Sequence, residues 1–398
     1  MDAGAQGAVP PLQDTMKRVL LVVPGLGVGG VERSLLALLK LAPLTRLDIT
    51  LLTFVPGGEL SGEVPSGVRL ACDRRAGRME RLRGAVSGAL KARGLHRLFR
   101  AMKQAYHRLG GAASGAGRGS QGYDVAIAYA DGLATWYVAQ HVAAACKIAF
   151  VHTDIVQAGY NIQTERRAYA GYRWIFFGSA SSRSRFLSQM PELAEKAKLL
   201  PNTVDALQIK HMAELGAPFA EGGPYIKIVT VGRLSHEKGV SKIPKLLQML
   251  QSGGSKVVWY VVGDGPERQK LMRCARELGV ETALVLVGAQ KNPYPYIRCC
   301  DIYVQPSDYE GYCIALAEAR MLCRPIVACC FAGAEDQIVD GKTGYVTGMA
   351  PEDIFPALCR LVDDPAQRAR FTEALAGEAA AREGLCPAVR WWEWVSTL

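Results

Sequence analysis

Short apolar runs separated by amphipathic stretches recur along most of the chain. Runs at Arg18–Val23, Leu47–Phe54, Asp124–Tyr129, Lys147–Val151 and Trp174–Phe177 read as strands. A second set follows at Ile226–Val231, Val257–Val262, Ala283–Val287, Ile302–Val304 and Ile326–Cys329. Segments between them, such as Val31–Leu41 and Leu316–Cys323, carry the helical period. Strands apolar on both faces that alternate with helices imply parallel sheets covered on both sides. The stretch Leu215–Tyr225, after the Pro201-Asn202 turn and before a fresh strand, divides the chain into two α/β halves of similar size. Each half opens as strand, glycine-containing loop and helix. Ligands of such sheets bind beyond the carboxyl ends of the strands, so two facing halves would enclose a substrate in the cleft between them.

Composition narrows the class without naming it. The 398 residues are 49% apolar and 21% charged, which excludes global disorder, collagen and coiled coil. The longest apolar runs, such as Val257–Val262, fall far short of the ~20 residues that span a bilayer. The first fifteen residues lack the basic start and apolar core of a cleaved secretory signal, and Met16 is an open alternative start. Cys146, Cys329 and Cys330 sit in strand-like runs and Cys274 and Cys313 in helix-like ones, with no C-x-x-C pair. Buried reduced thiols in a cytoplasmic protein are therefore expected rather than a zinc or disulfide site.

Charge is uneven. The net +10 is concentrated between Asp73 and Arg118, where twelve Lys and Arg stand against Asp73 and Glu80. One local anionic partner is expected, not a protein-wide nucleic-acid footprint. Within this segment Leu95, Leu98, Phe99, Met102, Tyr106 and Leu109 fall on one helical face, with Arg93, Arg97, Arg100, Lys103 and Arg108 around it. Such a helix over 90–109 fits an anionic membrane surface, or packs its apolar face on the first domain. Gly110–Ser120 reads as a linker by composition.

Three motifs carry chemistry. Gly25-Leu26-Gly27-Val28-Gly29-Gly30 matches G-x-G-x-x-G between a strand and a helix. The dinucleotide reading also needs an acidic residue at the end of the second strand, but that strand ends Leu52-Thr53-Phe54. What remains is a loop that lets phosphate or sugar approach the backbone. Arg233 and Lys238 sit just past a strand's carboxyl end, where a guanidinium and an ammonium suit a diphosphate; alone, such a pair is as readily a solvated loop. Glu310 precedes, and Glu318 lies within, an expected helix Tyr312–Cys323, roughly 12 Å apart at 1.5 Å per residue. They can hold hydroxyls at the two ends of an elongated ligand, with free amides at Gly311, Tyr312 and Cys313 between them.

In this order the motifs resemble the family-4 retaining glycosyltransferases of the GT-B fold, two Rossmann-like parallel-sheet domains facing across a cleft. The resemblance rests on Gly29-Gly30-Val31-Glu32, Gly232-Arg233 with Lys238-Gly239, Val262-Gly263-Asp264-Gly265-Pro266 and Glu310-Gly311 through Glu318-Ala319. Pro201-Asn202-Thr203-Val204-Asp205 resembles the family's interdomain turn, with Thr203 in place of glycine. The resemblance implies an acceptor-side domain over 16–205 with a basic insert at 73–120, a nucleotide-sugar domain over 206–384, and a helix at 385–398 crossing back to the first domain. It implies that Arg233 and Lys238 bind the donor diphosphate, that Glu310 touches the transferred sugar and His152 lies near it, and that Glu318 holds the ribose. Gly29, Gly30, Gly263, Gly311, Tyr312 and Cys313 would line the donor site. No Asp-x-Asp occurs, so no metal or other cofactor is expected and the leaving diphosphate would be neutralised by cations and helix amides. The expected reaction is hexose transfer from a nucleotide diphosphate sugar, UDP-linked, to a cell-surface glycan or lipid-linked acceptor. It would take place at the inner face of the membrane and involve no nucleic acid. A nucleotide-sugar epimerase of the same fold and a non-catalytic membrane-surface adaptor stay open as alternatives.

Overall fold

The computed structural model describes residues 16–76, 122–219, 224–381 and 387–398. The basic segment with Arg93, Arg97, Arg100 and Lys103, and the Gly110–Ser120 stretch, lie outside the described residues. Two parallel sheets form. The first has seven strands, β1 (Lys17–Val23), β2 (Leu47–Thr53), β3 (Arg69–Cys72), β4 (Tyr123–Ala128), β5 (Ala144–Val151), β6 (Trp174–Phe177) and β7 (Ala197–Leu199), in the order β3-β2-β1-β4-β5-β6-β7. The second has six, β8 (Ile226–Val231), β9 (Val257–Val262), β10 (Leu284–Gly288), β11 (Ile302–Gln305), β12 (Ile326–Cys329) and β13 (Tyr345–Thr347), in the order β10-β9-β8-β11-β12-β13.

Strand β1 shows why these sheets are buried on both faces. Val19, Leu21 and Val23 enter one core together with the helix Gly30–Lys40, while Leu20 and Val22 enter another on the opposite face. The helix Pro387–Thr397 closes the first of these cores. Its Trp391 and Trp392 are buried, and the Trp392 indole donates to the Leu38 carbonyl at 2.7 Å. The last helix therefore anchors on the first sheet, although the second sheet precedes it in the chain.

Strands β3, β7 and β13 are additions to the sequence reading, and each sits at the edge of its sheet. The helix expected over Tyr312–Cys323 is shorter, Ile314–Met321. Cys313 takes a left-handed backbone (φ 66°) just before it, so the free amides of the first turn begin at Ile314 and not at Gly311. Cys313 and Cys330 accordingly lie just outside the helix and strand assigned to them. Among the described residues, no helix is long and apolar enough to cross a membrane.

Candidate functional site

Strand order reverses direction between β1 and β4 in the first sheet and between β8 and β11 in the second. At such a reversal the loops leaving the two central strands diverge and open a crevice at their carboxyl ends. The loop after β8 carries Arg233 and Lys238, and the loop after β11 carries Glu310. Neighbouring strands thus bring together groups 72 positions apart. Lys238 Nζ donates to Glu310 Oε1 at 2.6 Å, and the Ser307 hydroxyl reaches the same oxygen at 2.8 Å. Burial works against the Lys238 charge, but the Glu310 carboxylate overrides it and holds the ammonium above its ordinary range. Arg233 is exposed on the same loop and makes no ion pair among the described residues.

Glycines let these loops stack. A Cβ on Gly263, whose φ is +149°, would lie 1.9 Å from the Gly232 carbonyl oxygen. Gly263 therefore serves to seat the Asp264 loop against the Arg233 loop, which places it in the support of the crevice.

The first domain meets this edge directly. A Cβ on Gly311 would stand 2.2 Å from the His152 carbonyl oxygen, one on Gly30 3.2 Å from Ile314, and one on Gly178 3.0 Å from Tyr312. The Ser179 hydroxyl donates to the Gly311 carbonyl at 2.9 Å, and the Ser181 hydroxyl donates to Asp336 at 2.7 Å while accepting from the Gly333 amide at 2.7 Å. Gly29 lies one residue outside the helix, and the Glu32 carboxylate folds back over it. Gly30 and His152 of the first domain and Gly311 and Tyr312 of the second thus gather at one interface, while Cys313 is buried in the second domain's core beside Lys238 and Glu310.

His152 follows β5 and is half-buried, with both ring nitrogens shielded from solvent and its ring against Tyr129 (centroids 5.0 Å) and Phe150. Burial pulls its imidazole down to about 4, so it is neutral at pH 7, and neither ring nitrogen makes a hydrogen bond. Its backbone amide donates to Asp131 Oδ2 at 3.0 Å. Asp131, just past β4, is pushed up to about 7 by burial, and its other oxygen is unpaired. The sequence reading omitted Asp131; an acidic residue followed by glycine at a strand's carboxyl end was the available signal.

Glu318 belongs to a separate network. Its Oε1 accepts from the Tyr294 hydroxyl at 3.0 Å, and burial pushes its carboxyl up to about 7. Arg33, from the first domain, lies over the Tyr294 ring at 5.4 Å and donates to its hydroxyl and to the Lys291 carbonyl. Neither Tyr294 nor Arg33 was picked out by the sequence reading. Among the described residues, no three His, Cys, Asp or Glu side chains cluster as metal ligands.

Residues 216–376 match the family model described as glycosyl transferases group 1. Among curated relatives, the chain is 30% identical over 164 residues to alpha-D-kanosaminyltransferase of Streptomyces kanamyceticus, covering 40% of this chain and 42% of that protein. It is 29% identical over 209 residues to the GDP-mannose-dependent alpha-(1-6)-phosphatidylinositol monomannoside mannosyltransferase of Mycolicibacterium smegmatis, covering 49% and 54%. The chain therefore spans about half the length of the curated relatives it matches. Among solved structures, HepE of Anabaena in complex with UDP-glucose is similar over 96% of this chain and 100% of its own, with TM-score 0.69 and 17% identity. The two facing sheets are those of the GT-B fold, as the resemblance implies.

Proposed function

We propose, from a second domain whose residues 216–376 match the glycosyl transferases group 1 model, that the chain is a metal-independent, retaining hexosyltransferase. It takes the sugar from a nucleotide diphosphate donor, UDP-linked, and passes it to a glycan or lipid-linked saccharide. The observation that carries this reading is the Lys238–Glu310 pair at the reversal of the second sheet, set against His152 of the first. An ammonium held charged in a part-buried site is matched to a leaving diphosphate, with Arg233 as a second cation from the same loop and the first-turn amides of Ile314–Met321 adding dipole. Glu310 positions the sugar and balances charge at its anomeric carbon. Neutral His152, held through its backbone by Asp131, offers a ring nitrogen to a sugar hydroxyl. Glu318 takes the ribose. The acceptor enters from the first domain, and its proton passes to a donor phosphate oxygen on the same face, so no covalent enzyme intermediate is required.

Two readouts test the donor half. Arg233→Ala and Lys238→Ala are expected to weaken UDP binding by about tenfold or more by calorimetry, since each removes a charge-assisted contact. EDTA is expected to leave turnover unchanged; strict metal dependence would refute the diphosphate clamp. Labelled donor separates transfer from the epimerase and adaptor alternatives, because only transfer moves label to acceptor.

The excess of basic residues between Asp73 and Arg118 supports a peripheral position on an anionic membrane. Vesicles containing anionic lipid are expected to bind the protein in a salt-sensitive way, with each basic residue adding about 1 kcal/mol. Changing Arg93, Arg97, Arg100 and Lys103 together to Gln should weaken this binding. Equal affinity for neutral vesicles would exclude it.

A further inference from the structure

Arg33 is the fourth residue of the first domain's helix Gly30–Lys40, yet its guanidinium rests entirely on second-domain groups. It donates to the Lys291 carbonyl and, at 3.3 Å, to the Tyr294 hydroxyl. That hydroxyl in turn reaches Glu318 at 3.0 Å. One chain of contacts therefore runs from the glycine loop of the first domain to the carboxylate inside the second. On the same helix, Lys40 bonds Gln208 at 2.6 Å, so the helix meets the second half at both ends.

The geometry points to Arg33 as a positioning residue that, through Tyr294, readies Glu318 for the donor's ribose only while the two domains are together. This rests on the reading of Glu318 as the ribose acceptor. The physical reason is charge in a dry place. Glu318 is 5% exposed, and burial alone favours its neutral form, which accepts hydroxyl hydrogen bonds poorly. Arg33 opposes that effect and is the cation acting on it. The other titratable groups around it, Tyr294 and Tyr303, are held neutral by burial. Glu63 and Asp205 line the same pocket and carry the opposite sign to Arg33. When the domains part, Arg33 leaves with the first domain and Glu318 loses its counter-charge. Nucleotide binding and closure are thereby coupled through one side chain.

The test is calorimetry with UDP, GDP and ADP at several pH values for the full chain, Arg33→Ala, Arg33→Lys and Tyr294→Phe, each checked for an unchanged Tm. Removing one such charge moves a buried carboxyl by about one pH unit. At pH 7 the ionised share of Glu318 then falls from about a half to about a tenth, and Kd rises about fivefold. In Arg33→Ala the loss should disappear by about pH 9, where Glu318 ionises unaided, while Arg33→Lys retains most of the affinity. Tyr294→Phe should weaken binding with a pH dependence of the same sign but shallower, because the lost hydroxyl also helps keep Glu318 ionised while the Arg33 charge stays. A uniform loss across pH in Arg33→Ala, or a Lys variant no better than Ala, would overturn the proposal while leaving the donor reading intact. If the unmodified chain bound none of the three nucleotides, both would fall.

Discussion

Glu310→Gln is expected to lower turnover at least about 100-fold while the protein stays folded. Glutamine keeps the size of the side chain and a carbonyl oxygen that can still accept from Lys238 and Ser307, so the 2.6 and 2.8 Å contacts survive in form. What disappears is the negative charge. Removing a preorganised group aimed at developing charge typically costs 10²–10³ in rate. Leaving the Lys238 ammonium without its counter-charge costs about 1–3 kcal/mol of stability, tolerable for a two-domain chain. Turnover at saturating donor, with circular dichroism as the folding control, decides the matter. Near-normal turnover would remove Glu310 from the reaction.

Gly311→Ala is expected to be nearly as damaging, by a steric route. The new methyl would sit 2.2 Å from the His152 carbonyl oxygen, 2.5 Å from its carbon and 2.9 Å from the Thr153 amide nitrogen. These are backbone atoms at the end of β5, with the His152 amide tied to Asp131, so no side chain can swing aside. The clash lies between domains, and relief comes from their separating by about 1 Å. Misplacement of that size costs about 100-fold in rate. Neither sheet's own core is touched, so Tm should scarcely change. UDP affinity should fall only several-fold, because the diphosphate groups all belong to the second domain. A rise in the radius of gyration by small-angle scattering would accompany the loss, and full activity would show that the contact is not needed.

Between them these two variants separate what the motif glycines and carboxylates do. The run Glu310-Gly311 is legible in the sequence as a unit, yet its two residues make different contacts. Glu310 pairs with a group 72 positions away. Gly311 lies against a carbonyl in the other domain, a contact with no counterpart in local pattern. The same holds for Arg33, which stands beside the expected glycine motif but meets Tyr294, 261 positions on.

Ten of the thirteen strands are visible as apolar runs: nine are inner strands covered on both faces, and the tenth, Leu284–Gly288, is a half-exposed edge strand of apolar composition. The three that are not, Arg69–Cys72, Ala197–Leu199 and Tyr345–Thr347, are edge strands of three or four residues whose side chains, Ala197 apart, are exposed or half-exposed, so they carry little hydrophobic signal. Helix limits failed once at the site, where Cys313 adopts a positive φ that its residue type does not announce. Periodicity and strand-end loops, both local properties, determined the two-sheet architecture and the positions of Arg233, Lys238, Glu310 and Glu318 along the chain. Which of these groups touch was decided by strand order and by the docking of one sheet's carboxyl edge on the other. Lys238 pairs with Glu310, Glu318 with Tyr294, Tyr294 with Arg33, and His152 lies under Gly311. Those partners are separated by 24 to 261 positions, and chain-distant contacts leave no trace in a repeat of two or 3.6 residues.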